Sequence, residues 1–178
     1  MTEYLSSEVN SINTSIKPTL NRKPIIFACI AALNEERTIG IIIKETKKYV
    51  NEIFVCDDGS SDLTGDLAES LGAHVVRHKT NKGKGAALRD IFKIVQDLKP
   101  DIVVVLDADS QHSPSDIPTL CEPLLKREVD MVIGSRFLDG SESEAPFYRR
   151  FGLKIFNFNG MLGVNDVQSG FRAFSVRP

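Results

Sequence analysis

Five short apolar segments, separated by amphipathic ones, constrain the fold of this chain most strongly. They span residues 24–30, 52–56, 74–77, 103–106 and 130–134. The fourth, Val103 to Leu106, has no polar face and is rich in β-branched residues, which is typical of a strand buried on both sides of a parallel sheet. The alternation of such strands with helices predicts an α/β domain with a right-handed, doubly wound, mostly parallel sheet.

Helices are predicted between these strands. The first should begin with Asn34 as its N-cap and run to about Tyr49. A short helix should lead to Gly72, a third should run from Ala86 to about Leu98, and a fourth should span about 115–126. Residues 1–23, rich in Ser, Asn and Thr, are predicted to form a flexible tail, and residues 24–178 a single domain.

Composition excludes several classes of function. A net charge of -2 and a pI near 5.9 argue against a nucleic-acid partner bound by bulk electrostatics. Cys29, Cys56 and Cys121 are odd in number and lie in apolar surroundings, which favours buried free thiols in a reducing compartment. No stretch has the length of a membrane span, and the first 23 residues lack the apolar core of a signal peptide, so a cytoplasmic protein is expected.

Polar residues follow every predicted strand. Because the carboxyl ends of parallel strands share one edge of the sheet, these residues should converge on a binding site there. The groups are Asn34 and Glu35, Asp57 and Asp58, the 81–85 loop, Asp107 and Asp109, and Ser135 and Arg136.

The carboxylates of Asp107 and Asp109 should point the same way, because side chains two apart on an extended chain share a face. Two adjacent carboxylates stay ionised most easily beside a cation, which predicts a divalent metal site. The alternative is an acidic turn leading into the helix start at residues 113–116.

Six short motifs occur in one order over residues 24–175. They resemble those of the family 2 inverting glycosyltransferases with a GT-A fold, in the branch of polyprenyl-phosphate sugar transferases such as dolichyl-phosphate mannose and glucose synthases. The motifs are residues 32–36 (ALNEE), 57–62 (DDGSSD), 81–86 (NKGKGA), 107–112 (DADSQH), 134–137 (GSRF) and 166–172 (DVQSGFR).

The resemblance implies a nucleotide-diphosphate sugar donor, either a UDP-sugar or a GDP-sugar. It implies that Asp58 accepts a hydrogen bond from the base ring N–H and that Lys84 contacts the nucleotide phosphates, although Lys84 is equally compatible with a solvated loop charge. The other nucleotide-binding residues implied are Ala31, Leu33, Glu35, Asp107 and Ala108. The implied ligands of Mg²⁺ or Mn²⁺ are Asp107, which also lies near the ribose, Asp109 and Gln111.

The acceptor implied is a polyprenyl phosphate at the membrane surface, with Arg136 lining its phosphate site. The catalytic candidates are Asp166, Arg136 and Asp109. An aspartate in the position of Asp166 acts as general base in many inverting relatives, but a lipid phosphate is already ionised and needs none. Asp166 is therefore expected to position the donor sugar or to orient Arg172.

Three further expectations concern the C-terminal part. Residues 148–156 mix cations and aromatics at helical spacing, as in a helix that rests on the cytoplasmic membrane face or packs on the core. Gln168, where mannose-transferring relatives often carry Thr, favours a uridine donor. The chain stops at Pro178, where relatives continue, so the resemblance implies a short member or one truncated on its acceptor side. The sequence is also compatible with a homodimer.

Two alternatives remain at this point. One is a transferase with a soluble sugar or protein acceptor, and the other is a non-catalytic subunit that binds sugar nucleotides. A receiver-like phosphorylation domain is disfavoured, because it would need its acidic pair after the first strand. His112 is expected behind the metal site or on the surface, and no role is assigned to His74 or His78.

Overall fold

Seven strands form one mixed sheet in the computed structural model, which describes residues 22–135, 152–156 and 170–176. The strands are β1 (Ile26–Ala32), β2 (Glu52–Asp57), β3 (His74–Arg77), β4 (Ile102–Asp107), β5 (Met131–Ser135), β6 (Gly152–Phe156) and β7 (Arg172–Ser175). The helices are α1 (Ile39–Thr46), α2 (Thr64–Ser70), α3 (Lys84–Leu98) and α4 (Ile117–Leu125), the last preceded by a 3₁₀ turn at Pro114–Asp116. None of the helices described is long and apolar enough to cross a lipid bilayer.

The strand order is β3-β2-β1-β4-β7-β5-β6. β1 pairs in parallel with β2 and β4, and β2 with β3, whereas β7 is antiparallel to both β4 and β5. β1 to β5 therefore all run in one direction, which confirms the predicted α/β class and mostly parallel sheet. The sequence did not reveal that β7, from the end of the chain, separates β4 from β5.

The expected helix over residues 148–156 is wrong for the part described. Gly152–Phe156 is a strand that pairs antiparallel with β5, from Ser135 opposite Gly152 to Met131 opposite Phe156. A short segment of mixed polarity is compatible with both the helical and the strand periodicity. Here the segment is a strand because it can pair with the edge of β5. Residues 148–151 lie outside the described ranges.

The first helix also begins later than expected. Asn34 adopts a left-handed backbone conformation, with φ of 55°, and α1 begins only at Ile39. The Asn34 side chain does not cap the helix, because its oxygen accepts hydrogen bonds from the backbone N–H and hydroxyl of Ser61. The segment between β1 and α1 is thus an extra turn tied to the loop after β2.

Both faces of the sheet are covered by helices. On one face, α1 and α4 contribute buried residues such as Ile39, Ile43 and Leu120 to the larger core cluster. On the other face, α3 buries Ile91 and other residues against a second cluster. Alternate residues of each central strand enter opposite clusters, and the sheet is therefore rigid at its centre, where β1 and β4 lie side by side.

Leu106 tests this packing, because its side chain is fully buried next to the end of β4. We expect Leu106→Ala to lower the free energy of unfolding by about 2–5 kcal/mol, through lost burial and a residual cavity. Leu125→Ala, at a leucine that is 47% exposed, is the matched control and should change stability by about 0.5 kcal/mol or less. Urea unfolding followed by circular dichroism measures both, and equal midpoints for the two variants would contradict the assigned core.

Candidate active site

A cleft of about 280 Å³ opens at the carboxyl ends of β1, β2 and β4. The parallel register brings these ends together, since Ala31 of β1 lies between Cys56 of β2 and Asp107 of β4. Eight residues that the sequence singled out line this cleft: Ala31, Leu33, Glu35, Asp58, Lys84, Asp107, Ala108 and Asp109. The remaining lining residues are Ala32, Asn81 and Gly83.

Three of the predicted site residues are not brought into the cleft by the described structure. Gln111 lines a neighbouring cavity of about 670 Å³ together with Ile41 and Glu45 of α1. Arg136 and Asp166 lie outside the described residues. The backbone N–H of Gln111 nevertheless donates to Asp109 Oδ1 at 3.0 Å, so Gln111 helps to fix the orientation of the Asp109 carboxylate.

The first wall of the cleft is a loop held by three side chains. The backbone N–H groups of Asn34, Glu35 and Glu36 donate to the side chains of Ser60, Thr64 and Asp62, respectively. All three acceptors belong to the segment after β2. Leu33, at the cleft wall, is left 37% exposed, so the loop offers an apolar surface to a ligand.

Asp58 lies at the base of the cleft with only 4% of its side chain exposed. Its Oδ1 accepts hydrogen bonds from the Lys82 N–H at 2.9 Å and from His78, and its Oδ2 accepts one from the Gly83 N–H at 2.7 Å. Burial raises the pKa of Asp58, but the two backbone amides and His78 together outweigh it and leave this pKa below its ordinary value. The carboxylate is therefore ionised and acts as an acceptor only.

Asp107 ends β4 and forms an ion pair with Lys84, at the start of α3. His112 lies behind it, with Nε2 3.8 Å from Asp107 Oδ2 and its ring stacked on Phe171. A Cβ atom on Gly170 would come within 1.9 Å of the Asp107 carboxylate, so a side chain at this position would displace that carboxylate. His112 is thus buried beside Asp107, which decides against the surface alternative.

The donor set in the cleft suits a hard divalent cation. Asp107 and Asp109 both line the cleft, and their carboxylate oxygens are the ligands that Mg²⁺ and Mn²⁺ prefer. In the described part of the chain, no group of three His, Cys, Asp or Glu side chains is arranged to hold a metal ion by itself. Mg²⁺ is commonly held by two carboxylates together with phosphate oxygens of a substrate.

The cysteines take no part in this chemistry. Cys29, Cys56 and Cys121 are buried and free, as expected. Burial raises the pKa of Cys56 to about 12, helped by nearby carboxylates including Asp58, and burial alone raises that of Cys121 to about 12. Thiols with such pKa values are neutral near pH 7 and are not nucleophiles.

His78 is a site residue to which sequence reasoning assigned no role. It follows β3 directly and is buried between the carboxylates of Asp58 and Asp90. The sequence held one usable signal, because His78 lies at the carboxyl end of a strand, on the same edge as the other polar residues.

Known proteins share both the sequence pattern and the fold. A protein of unassigned function from Methanocaldococcus jannaschii is 41% identical over 177 residues, covering 96% of this chain and 69% of that protein. A UDP-N-acetylglucosamine–dolichyl-phosphate N-acetylglucosaminyltransferase from Methanococcus voltae is 31% identical, covering 85% of this chain and 69% of that protein.

Among solved structures, glucosyl-3-phosphoglycerate synthase from Mycobacterium tuberculosis in complex with UDP superposes with a TM-score of 0.53 and 29% identity, covering 76% of this chain. This chain spans about half of that structure, 49% of its length. The same enzyme in complex with Mn²⁺ and UDP-glucose gives a TM-score of 0.50 at 29% identity, over 70% of this chain and 45% of that one. These similarities confirm the expected GT-A fold.

The family model described as glycosyl transferase family 2 matches residues 16–177, nearly the whole chain and all of the cleft. Together with the two relatives and the shared fold, this match shows that the chain is a glycosyltransferase and belongs to glycosyl transferase family 2.

Proposed function

We propose that this protein transfers a sugar from a nucleotide-diphosphate donor to a polyprenyl phosphate, with inversion at the anomeric carbon and with a divalent metal ion. The observation that carries the proposal is the convergence of Asp58, Lys84, Asp107 and Asp109 on one cleft. The cleft combines an apolar wall, a buried acceptor, a cation and an acidic pair. A nucleoside diphosphate with its metal ion has the complementary groups.

The base would lie against Ala31 and Leu33 and donate its ring N–H to Asp58. Both uracil and guanine carry such an N–H, and two observations favour uracil: the fold is shared with an enzyme solved with UDP, and the Methanococcus voltae relative is named for a UDP-sugar. Gln168 favours a uridine donor as well. We therefore propose a UDP-sugar as the donor.

Mg²⁺ or Mn²⁺ would be held by Asp107 and Asp109, with Gln111 as the further ligand suggested by family resemblance. When bound, the cation neutralises the charge that accumulates on the leaving diphosphate. Lys84 would contribute a second positive charge to the same phosphates, once it separates from Asp107. In this assignment the residues of the chain mainly orient the donor and compensate its charge.

For the acceptor, we propose a phosphate oxygen of the lipid that bonds to the anomeric carbon as the bond to the diphosphate breaks. The phosphate is already ionised, so this step needs no general base. Arg136 would bind the acceptor phosphate, and Asp166 would position the donor sugar or orient Arg172. The dolichyl phosphate in the name of the Methanococcus voltae relative supports this choice. The protein would then act as a peripheral protein at the membrane surface.

A soluble phosphorylated acceptor is the second candidate. It is favoured by the structural similarity to glucosyl-3-phosphoglycerate synthase, whose name denotes such an acceptor. Both candidates use the same donor cleft and differ only in the acceptor, so a comparison of acceptors in one transfer assay separates them.

Asp109→Asn tests the metal and donor site. The amide keeps the size of the side chain but loses its charge. We therefore expect the affinity for UDP-sugars in the presence of Mn²⁺ to fall at least about tenfold. The free energy of unfolding should stay unchanged. Calorimetry of the wild type and the variant, with Mn²⁺ or with EDTA, measures these affinities. The same titrations with GDP-sugars show which nucleotide base the protein prefers. Asp97→Asn, at an exposed residue of α3, is the matched control. Full Mn²⁺-dependent affinity in Asp109→Asn would remove Asp109 from the site.

Arg136→Ala tests the acceptor assignment. We expect transfer of radiolabelled sugar into organic-extractable polyprenyl phosphate to fall about tenfold or more, because a charged contact to the phosphate is lost. Donor affinity should change by less than about threefold, which is under 1 kcal/mol. Arg89→Ala, at an exposed residue of α3, is the control. Equal losses of transfer and donor affinity would contradict the role of Arg136, and labelling of 3-phosphoglycerate instead of lipid by the wild-type protein would favour the second candidate.

A further inference from the structure

His78 sits between two carboxylates in the interior of the protein. Its Nδ1 lies 2.5 Å from Asp58 Oδ1 and its Nε2 lies 3.1 Å from Asp90 Oδ2. Only 3% of the His78 side chain is exposed, against 4% for Asp58 and 32% for Asp90. The contacts join the end of β2, the end of β3 and helix α3, three elements that surround one side of the cleft.

The two contacts define the hydrogen-bonding state of the ring. The pKa of Asp90 is lowered by its hydrogen bonds to Lys93 and His78, and Asp58 is also ionised, so both carboxylates can only accept. A neutral imidazole carries one N–H and could satisfy one of them, while its other nitrogen would face a carboxylate with lone pair against lone pair. Nδ1, the ring nitrogen 2.5 Å from the buried Asp58, therefore donates its hydrogen to that carboxylate.

The neutral Cys56 thiol lies 3.6 Å from Nε2, the ring nitrogen that does not face Asp58, and its pKa is raised to about 12. The outer carboxylate, Asp90, is also paired to Lys93 at 2.8 Å. Asp58 is thus the carboxylate whose orientation depends most on the ring.

These bonds also control what Asp58 offers to a ligand. A carboxylate has roughly four acceptor positions, two on each oxygen. Oδ1 is used by His78 and the Lys82 N–H, and Oδ2 accepts the Gly83 N–H. One acceptor position is left, on Oδ2, and it can accept a single N–H from a ligand. The cleft that holds this ligand has an apolar wall at Leu33.

We propose that His78 is a positioning residue for the donor nucleotide: it holds the Asp58 carboxylate, and with it the 81–84 loop, in the orientation that accepts one N–H of the base. This inference rests on the proposed function. Without His78, Asp58 loses one of its three donors, and rotation or protonation of the carboxylate then removes the acceptor that the base needs. The sugar-transfer step itself does not involve His78.

His78→Gln is the direct test, because glutamine is neutral and its one amide group cannot donate to both carboxylates. We expect the affinity for UDP with Mn²⁺, measured by calorimetry, to fall about 10- to 100-fold. In the transfer assay KM for the donor should rise by a similar factor while kcat stays within about threefold. His74→Gln is the matched control. His74 lies on β3, the strand that His78 follows, and is bonded to Glu52 at 2.9 Å. This variant should bind UDP like the wild type even if its stability falls.

Two further measurements keep the test decisive if His78→Gln folds poorly. The ¹⁵N shifts of the wild-type His78 ring at neutral pH should show a proton on Nδ1. Asp90→Asn removes the outer carboxylate from the partly exposed position on α3, so the ring loses its carboxylate contact at Nε2. This variant should weaken UDP binding at least about threefold, which is roughly 0.7 kcal/mol, whereas Asp97→Asn on the same helix should not.

The outcomes separate this inference from the proposed function. If the wild-type protein binds no nucleotide, the proposed function is overturned and this inference with it. If the wild type binds UDP and both His78→Gln and Asp90→Asn bind it equally well, the inference alone is overturned. A wild-type ring whose Nδ1 carries no proton would overturn it too, whatever the affinities.

Discussion

Burial of the Asp58 carboxylate is the interaction on which the rest of the cleft depends. An ionised group with 4% of its side chain exposed is costly unless the protein supplies hydrogen-bond donors. The 81–83 backbone and His78 supply three, and in doing so they bring the start of α3 against the end of β2. The same contacts place Lys84 opposite Asp107, so one buried charge organises two walls of the site.

Lys84 compensates only part of the negative charge of the cleft. Its ammonium pairs with Asp107, while the carboxylates of Asp109 and Glu35 also belong to the cleft lining. A divalent metal ion held by Asp107 and Asp109 would leave the ammonium of Lys84 available to the phosphates of the proposed donor. The two cations would then compensate the charge of the diphosphate, which limits the electrostatic cost of binding it.

Much of the fold and of the candidate site was predictable, because both follow from strong local patterns. Val103 to Leu106 is an unambiguous buried strand, and the position of Asp107 and Asp109 after it follows from chain direction alone. The errors come from interactions that are distant in sequence. Asn34 has the side chain of a helix cap, but its oxygen is bonded to Ser61, and residues 152–156 form a strand because they pair with the edge of β5.

Two site residues depend on the same kind of interaction. His78 escaped notice since its partners lie on other elements. Gln111 lines a neighbouring cavity after the chain turns at Ser110, where φ is 62°, and its role as a metal ligand stays a prediction.

The position of β7 has a consequence for how the protein is made. β7 lies between β4 and β5, and the adjoining Gly170 packs on Asp107, although a long stretch of chain separates it from β4. During synthesis the earlier strands emerge first and can pair among themselves, while one edge of β4 waits for residues 172–175. Such non-local pairing slows folding and leaves that strand edge open in the meantime. The acidic end of β4 thus acquires its neighbour Gly170 only after the whole stretch between them has been synthesised.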